Sequence, residues 1–163
     1  MSSEPLTDHD LGVLRAAGLP LVTHTVVPSP AATELMASIG KAVEEGTPRL
    51  VEASALALVT LSTLTEHLPA IDLSPATRRR LGYILARLAK APLPPADQQR
   101  LARWADLLAE DLAPQREPLP LVRDMSPGRF RRLQSAPDAT NARWGVFGEV
   151  ELRSGCAYEP RGG

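Results

Sequence analysis

The sequence predicts a mainly α protein: a four-helix antiparallel bundle with a small terminal β element, a short N-terminal strand and a C-terminal strand or hairpin. Three observations predict it. Ser or Thr stands directly before Pro at four places, each followed by apolar residues at helical spacing. The connections between these segments are short and contain proline or glycine. Alternating, β-rich residues occur only near the two ends.

Taken in order, Thr7 to Ala17 reads as a short capped helix stopped by Gly18 and Pro20, and residues 21 to 27 (LVTHTVV) read as the N-terminal strand. In Ser29-Pro30, Thr47-Pro48, Ser74-Pro75 and Ser126-Pro127 the hydroxyl residue suits the N-cap, where its oxygen accepts a free backbone N–H. The proline suits the first helical position, where its missing N–H costs nothing. Pro94-Pro95-Ala96-Asp97 gives a fifth start, with Asp97 favoured by the helix dipole.

From Pro30 to Glu45, Leu35, Met36, Ile39 and Val43 share one face, and Gly46 supplies the left-handed stop. The segment from Pro48 to about His67 is apolar around most of its circumference, as suits a central helix packed on several sides. From Pro75 to Ala91 the buried stripe is Leu81, Ile84, Leu85 and Leu88; from Pro95 to Leu112 it is Leu101, Trp104, Ala105, Leu108 and Leu112. Residues 114 to 120 read as a stiff, extended surface linker. Trp144, Val146, Val150 and Leu152 alternate with polar or small neighbours as the best strand, which Ser154-Gly155 turns back into a hairpin ending at Tyr158.

The resulting organisation is one domain over 1–163: a bundle core at 30–113, a linker at 114–120, a short helix and hairpin at 121–158, and a tail at 159–163 that frays. At this length a chain buries roughly two thirds of its unfolded surface, so neither metal nor disulfide is required. The single Cys156 excludes an intramolecular disulfide and points to a reducing compartment, the cytoplasm. The start, Met1-Ser2-Ser3-Glu4-Pro5, lacks the basic and apolar runs of a secretory signal. The 13 uncharged residues from Ala53 to Thr65 fall short of the ~20 that span a bilayer, so no membrane partner is expected.

Motifs for chemistry are sparse. His9, His24 and His67 are far apart and share no metal-ligand spacing with Cys156, so no metal and no cofactor are expected. No nucleophile elbow, dinucleotide fingerprint or phosphate-binding loop occurs, and no small-molecule substrate is identified. Asp8-His9-Asp10 is better read as an acidic helix start than as an activated base. Glu44 and Glu45, Asp106 and Glu110, and Glu149 and Glu151 are carboxylate pairs without an adjacent base or nucleophile.

Charge is the sharper feature. Residues 1–73 hold three basic groups and nine acids, net −6, whereas residues 74–163 hold fifteen basic groups and ten acids, net +5. Internal complementarity is the plain explanation. The sharper one is a basic surface for an anionic partner: Arg80, Tyr83, Arg87 and Lys90 fall on one stripe of the Pro75 helix, and Arg129, Arg131 and Arg132 follow the Ser126-Pro127 start. Phe147, Trp144 and Tyr158 gather aromatics near the C-terminal strand, where an open edge suits another chain. Trp144 fits the core equally well, so Phe147, on the side of Glu149 and Glu151, is the first contact candidate. The expected function is therefore a non-enzymatic interaction module, an adaptor or subunit that meets another protein chain or its own copy. The alternative is a nucleic-acid-associated protein using the Arg/Tyr helix face.

Overall fold

The computed structural model describes residues 5–18, 26–110, 112–113, 117–135 and 138–150. Among them the protein is mainly helical, with a two-residue parallel strand pair as its β element. Helix α1 (Asp8–Ala16) leads to α2 (Ala32–Glu45), α3 (Pro48–Leu64), α4 (Pro75–Leu88) and α5 (Pro95–Ala109); β1 (Leu119–Pro120), α6 (Pro127–Ser135), α7 (Ala139–Trp144) and β2 (Val146–Phe147) follow.

The hydroxyl-proline starts act as caps at three of the four places. Thr47, Ser74 and Ser126 accept from the N–H groups of Leu50, Thr77 and Arg129 at 3.3, 3.2 and 3.2 Å. At the fourth, α2 starts two residues after Pro30, with Ala31 at the N-cap and no side-chain cap, because Ala31 keeps an extended backbone. Helix α4 stops at Leu88 rather than Ala91. Tighter bonds from Lys90 to Arg87 and from Ala91 to Leu88 close it ahead of Pro92, which disfavours helical backbone at Ala91.

Helix α3 packs against α1, α2, α4 and α5 and buries residues on every side, Leu56, Ala57, Leu58 and Leu61 among them. The pairs α2–α3 and α4–α5 carry most of the core, but they do not complete it. Val13 and Leu14 of α1 and Trp144 of α7 are also wholly buried. The Thr60 hydroxyl ties α3 to α1 by donating to the Ala17 carbonyl at 2.9 Å.

The C-terminal region departs most from the expected strand. Trp144 ends a helix, Gly145 takes the left-handed conformation (φ 65°), and only Val146 and Phe147 are strand. The physical reason is a capping box. The Asp138 carboxylate accepts from the Asn141 N–H at 2.9 Å while the Asn141 side chain accepts from the Asp138 N–H at 3.3 Å, which nucleates a turn that alternation of Trp144 and Val146 conceals. The partner of β2 is β1, from the region expected to be linker. Leu119 donates to Gly145 and Leu121 donates to Phe147, so the register leaves Pro120, which has no N–H, without a bond to make. Val26 and Val27 are not strand; residues 19–25, and the hairpin with Tyr158 and Leu152, lie outside the described residues.

Candidate functional site

The stripe expected to face an anionic partner is instead the surface on which α7 and β2 dock. Tyr83 is wholly buried. Its hydroxyl donates to the Gly148 carbonyl at 2.5 Å and accepts from Asn141 Nδ2 at 3.1 Å and Arg87 Nε at 3.2 Å. Asn141 Nδ2 also donates to the Val146 carbonyl at 3.0 Å. Arg87 pairs with Asp138 at 2.8 Å and lies 5.4 Å above the Tyr83 ring. Although burial opposes its charge, the Tyr83 hydroxyl and Asp138 hold Arg87 above the ordinary guanidinium range. Lys90 donates to the Thr140 hydroxyl at 2.8 Å, and Arg80 donates from Nε to the Pro120 carbonyl at 3.0 Å. Burial lowers the Arg80 pKa, helped by the nearby Arg123 charge and opposed by Glu44. A phenol locked by three partners and screened from water cannot stack on a base; it positions the chain from Asn141 to Gly148.

On the first turn of α4, Arg78 donates to the carbonyls of Leu107, Leu108 and Glu110 at 3.3, 2.8 and 3.1 Å. These carbonyls lie at the C-terminal end of α5, where helical partners run out and only Leu107 is also met by a backbone donor, Glu110 N–H at 3.3 Å, among the described residues, so a cation there satisfies both hydrogen bonding and the helix dipole. Arg78, Arg80 and Arg87 of α4, and Lys90 just beyond its end, are thus spent within the fold.

Phe147 is buried as well, with 7% exposure, and meets Phe130 of α6 edge to face at 5.7 Å. The expectation of an outward Phe147 does not hold, because α6 covers the face that strand alternation alone would leave to solvent. Trp144 is wholly buried, so neither aromatic offers itself to a partner from this position. Tyr158 lies outside the described residues.

The second basic cluster is different. Helix α6 buries none of its residues; Phe130 and Leu133 are half covered on its inner side, while Arg129, Arg131 and Arg132 are exposed. Arg129 pairs with Glu149 at 3.3 Å. Arg131 and Arg132 have no ion pair or side-chain hydrogen bond among the described residues. The exposed Arg123 lies on the preceding segment, anchored by its backbone N–H on the Gly46 carbonyl at 2.7 Å.

The acid clusters take structural roles. Asp10 closes a capping box with Thr7, His9 pairs with Glu34 at 2.7 Å, and Asp106 pairs with Arg143 at 2.8 Å. Among the described residues no three metal-ligating side chains converge. Shallow clefts do open beside the docked segment. One of about 310 Å³ is lined by Arg87, Leu133, Asp138, Asn141 and Glu149; another of about 270 Å³ lies between α4, α5 and α7 under Ala89, Ala105, Thr140 and Trp144. Both sit at or below the lower limit of ordinary ligand pockets, and the carboxylates of the first are paired to arginines. Trp144 Nε1 is buried without a partner among the described residues.

Asp138, Thr140, Asn141 and Gly82, which complete the α4–α7 junction, escape sequence reasoning. The usable signal is the spacing Asp138-x-x-Asn141 followed by Gly145, which marks both ends of α7. Comparison with known proteins adds no relative: no family model, curated protein or solved structure matches the chain.

Proposed function

We propose that the chain is a non-enzymatic protein-interaction module, an adaptor or a subunit of a larger assembly that works in the cytoplasm. The observation that carries this reading is α6, nine residues long and without one buried residue. Isolated helices of that length are marginal in water, so an exposed one gains from a surface that covers it. The cytoplasmic setting is supported by the single cysteine.

The nucleic-acid alternative loses its main support with the burial of Tyr83 and the internal pairing of Arg80, Arg87 and Lys90. Affinity purification of the intact chain from its native cell, with and without nuclease, tests the proposal. A protein partner at fixed stoichiometry that survives nuclease is the expected result. Recovery of nucleic acid alone, or of nothing, overturns it.

A further inference from the structure

Three observations converge on the outer side of α6. Arg131 and Arg132 project from it with no ion pair or side-chain hydrogen bond among the described residues. Across residues 121–135 four arginines face one acid, Asp124, and Glu149 neutralises Arg129 only. Gly128 lies one helical turn before Arg131 and Arg132, so the three share a side. A Cβ on Gly128 would meet nothing within 4 Å among the described residues, and its φ is not left-handed. Among the described residues nothing therefore requires a glycine in this first turn, and a glycine there permits close approach by another backbone.

We infer that the outer side of α6 is a docking surface for an acidic protein segment, whose carboxylates pair with Arg131 and Arg132 while its backbone passes over Gly128. This deepens the interaction-module reading and rests on it. Charge complementarity selects the occupant. Planar guanidinium groups match carboxylates, as they do phosphates, in two-pronged pairing, so the number of cations and the lack of a free aromatic decide between them. A nucleic acid is the poorer match: affinity built on phosphate neutralisation grows with the number of contacts, Arg131 and Arg132 supply few, and the nearest aromatic, Phe130, is engaged with Phe147.

The test measures binding of a fluorescein-labelled glutamate-rich peptide to the intact chain by anisotropy, beside its glutamine counterpart and a single-stranded oligonucleotide. The glutamate peptide is expected to bind, to weaken as salt rises, and to lose about tenfold or more in affinity with Arg131→Glu plus Arg132→Glu. Because these side chains make no contact the fold needs, the double variant should melt with the parent. Gly128→Leu should also fold and should weaken the peptide, whereas Gly128→Ala should fold at least as well as the parent. Equal binding of the glutamine peptide, preferential binding of the oligonucleotide, or retained affinity in the double reversal overturns the assignment. Self-association abolished by the reversals gives the surface to a second copy and also overturns it. In the native-cell purification, a partner still held by the double variant removes α6 as its dock and leaves the module reading standing; no partner for the parent removes both.

Discussion

The benzenoid ring of Trp144 fills the space that a side chain at Gly82 would occupy: a Cβ there would lie well inside van der Waals contact of Cζ3, Cη2 and Cε3. Contact with α4 at this depth is why α7 is part of the core although it has only six residues. On an exposed helix, replacing glycine by alanine gains up to about 1 kcal/mol. At position 82 the sign reverses. Gly82→Ala should destabilise by about 1 to 3 kcal/mol, the range for overpacking, and should shift Trp144 fluorescence to the red as the indole is displaced. Unchanged emission and an unchanged urea midpoint would separate α7 from the core.

Tyr83→Phe isolates the polar half of the same junction. The ring remains, but the Gly148 carbonyl loses its donor and Asn141 and Arg87 lose an acceptor. Leaving buried groups unsatisfied costs about 1 to 3 kcal/mol, and amide exchange should accelerate at Val146 and Phe147 before it does in α3. Exchange that rises evenly over the whole chain would show that the hydroxyl does not hold this segment in particular.

These two positions also show what was legible in the residues. Leu81, Ile84, Leu85 and Leu88 announce the buried face of α4, and the structure buries all four. The opposite face carries Arg80, Tyr83, Arg87 and Lys90, which periodicity assigns to solvent; a second buried face made of polar side chains has no periodic signature. Its partner, α7, is too short for periodicity to detect and is marked only by its cap residues. Phe147 is hidden from sequence reasoning for a related reason: alternation gives the two faces of a strand, but not whether a helix such as α6 covers the second.

Leu61 of α3 is wholly buried where α3 is surrounded by α1, α2, α4 and α5. Leu61→Ala should cost about 2 to 5 kcal/mol in urea unfolding, the transfer loss plus the cavity left behind. A cost near zero would mean that the surrounding helices close on the gap, which a helix held on four sides has little freedom to do.

Asp10 gives the fold an acid-sensitive element. Burial pushes its carboxyl pKa up, but the Thr7 N–H at 3.0 Å, the Ser38 hydroxyl at 2.8 Å, the Thr7 hydroxyl at 2.9 Å and Lys41 at 3.1 Å all favour the ionised form, and the balance lies below the ordinary value. A carboxyl with a depressed folded pKa stabilises the fold fully above its unfolded pKa of about 3.9 and ceases to do so as pH falls through the folded value. Asp10→Asn keeps the shape and removes the charge, so it should lie about 1 to 3 kcal/mol below the parent near neutral pH. The gap should narrow in urea titrations carried below pH of about 4, because protonation then strips the parent of the same interaction. A gap that stays constant across that range would mean that Asp10 contributes through hydrogen-bond shape alone, with its link to Ser38 and Lys41 indifferent to charge.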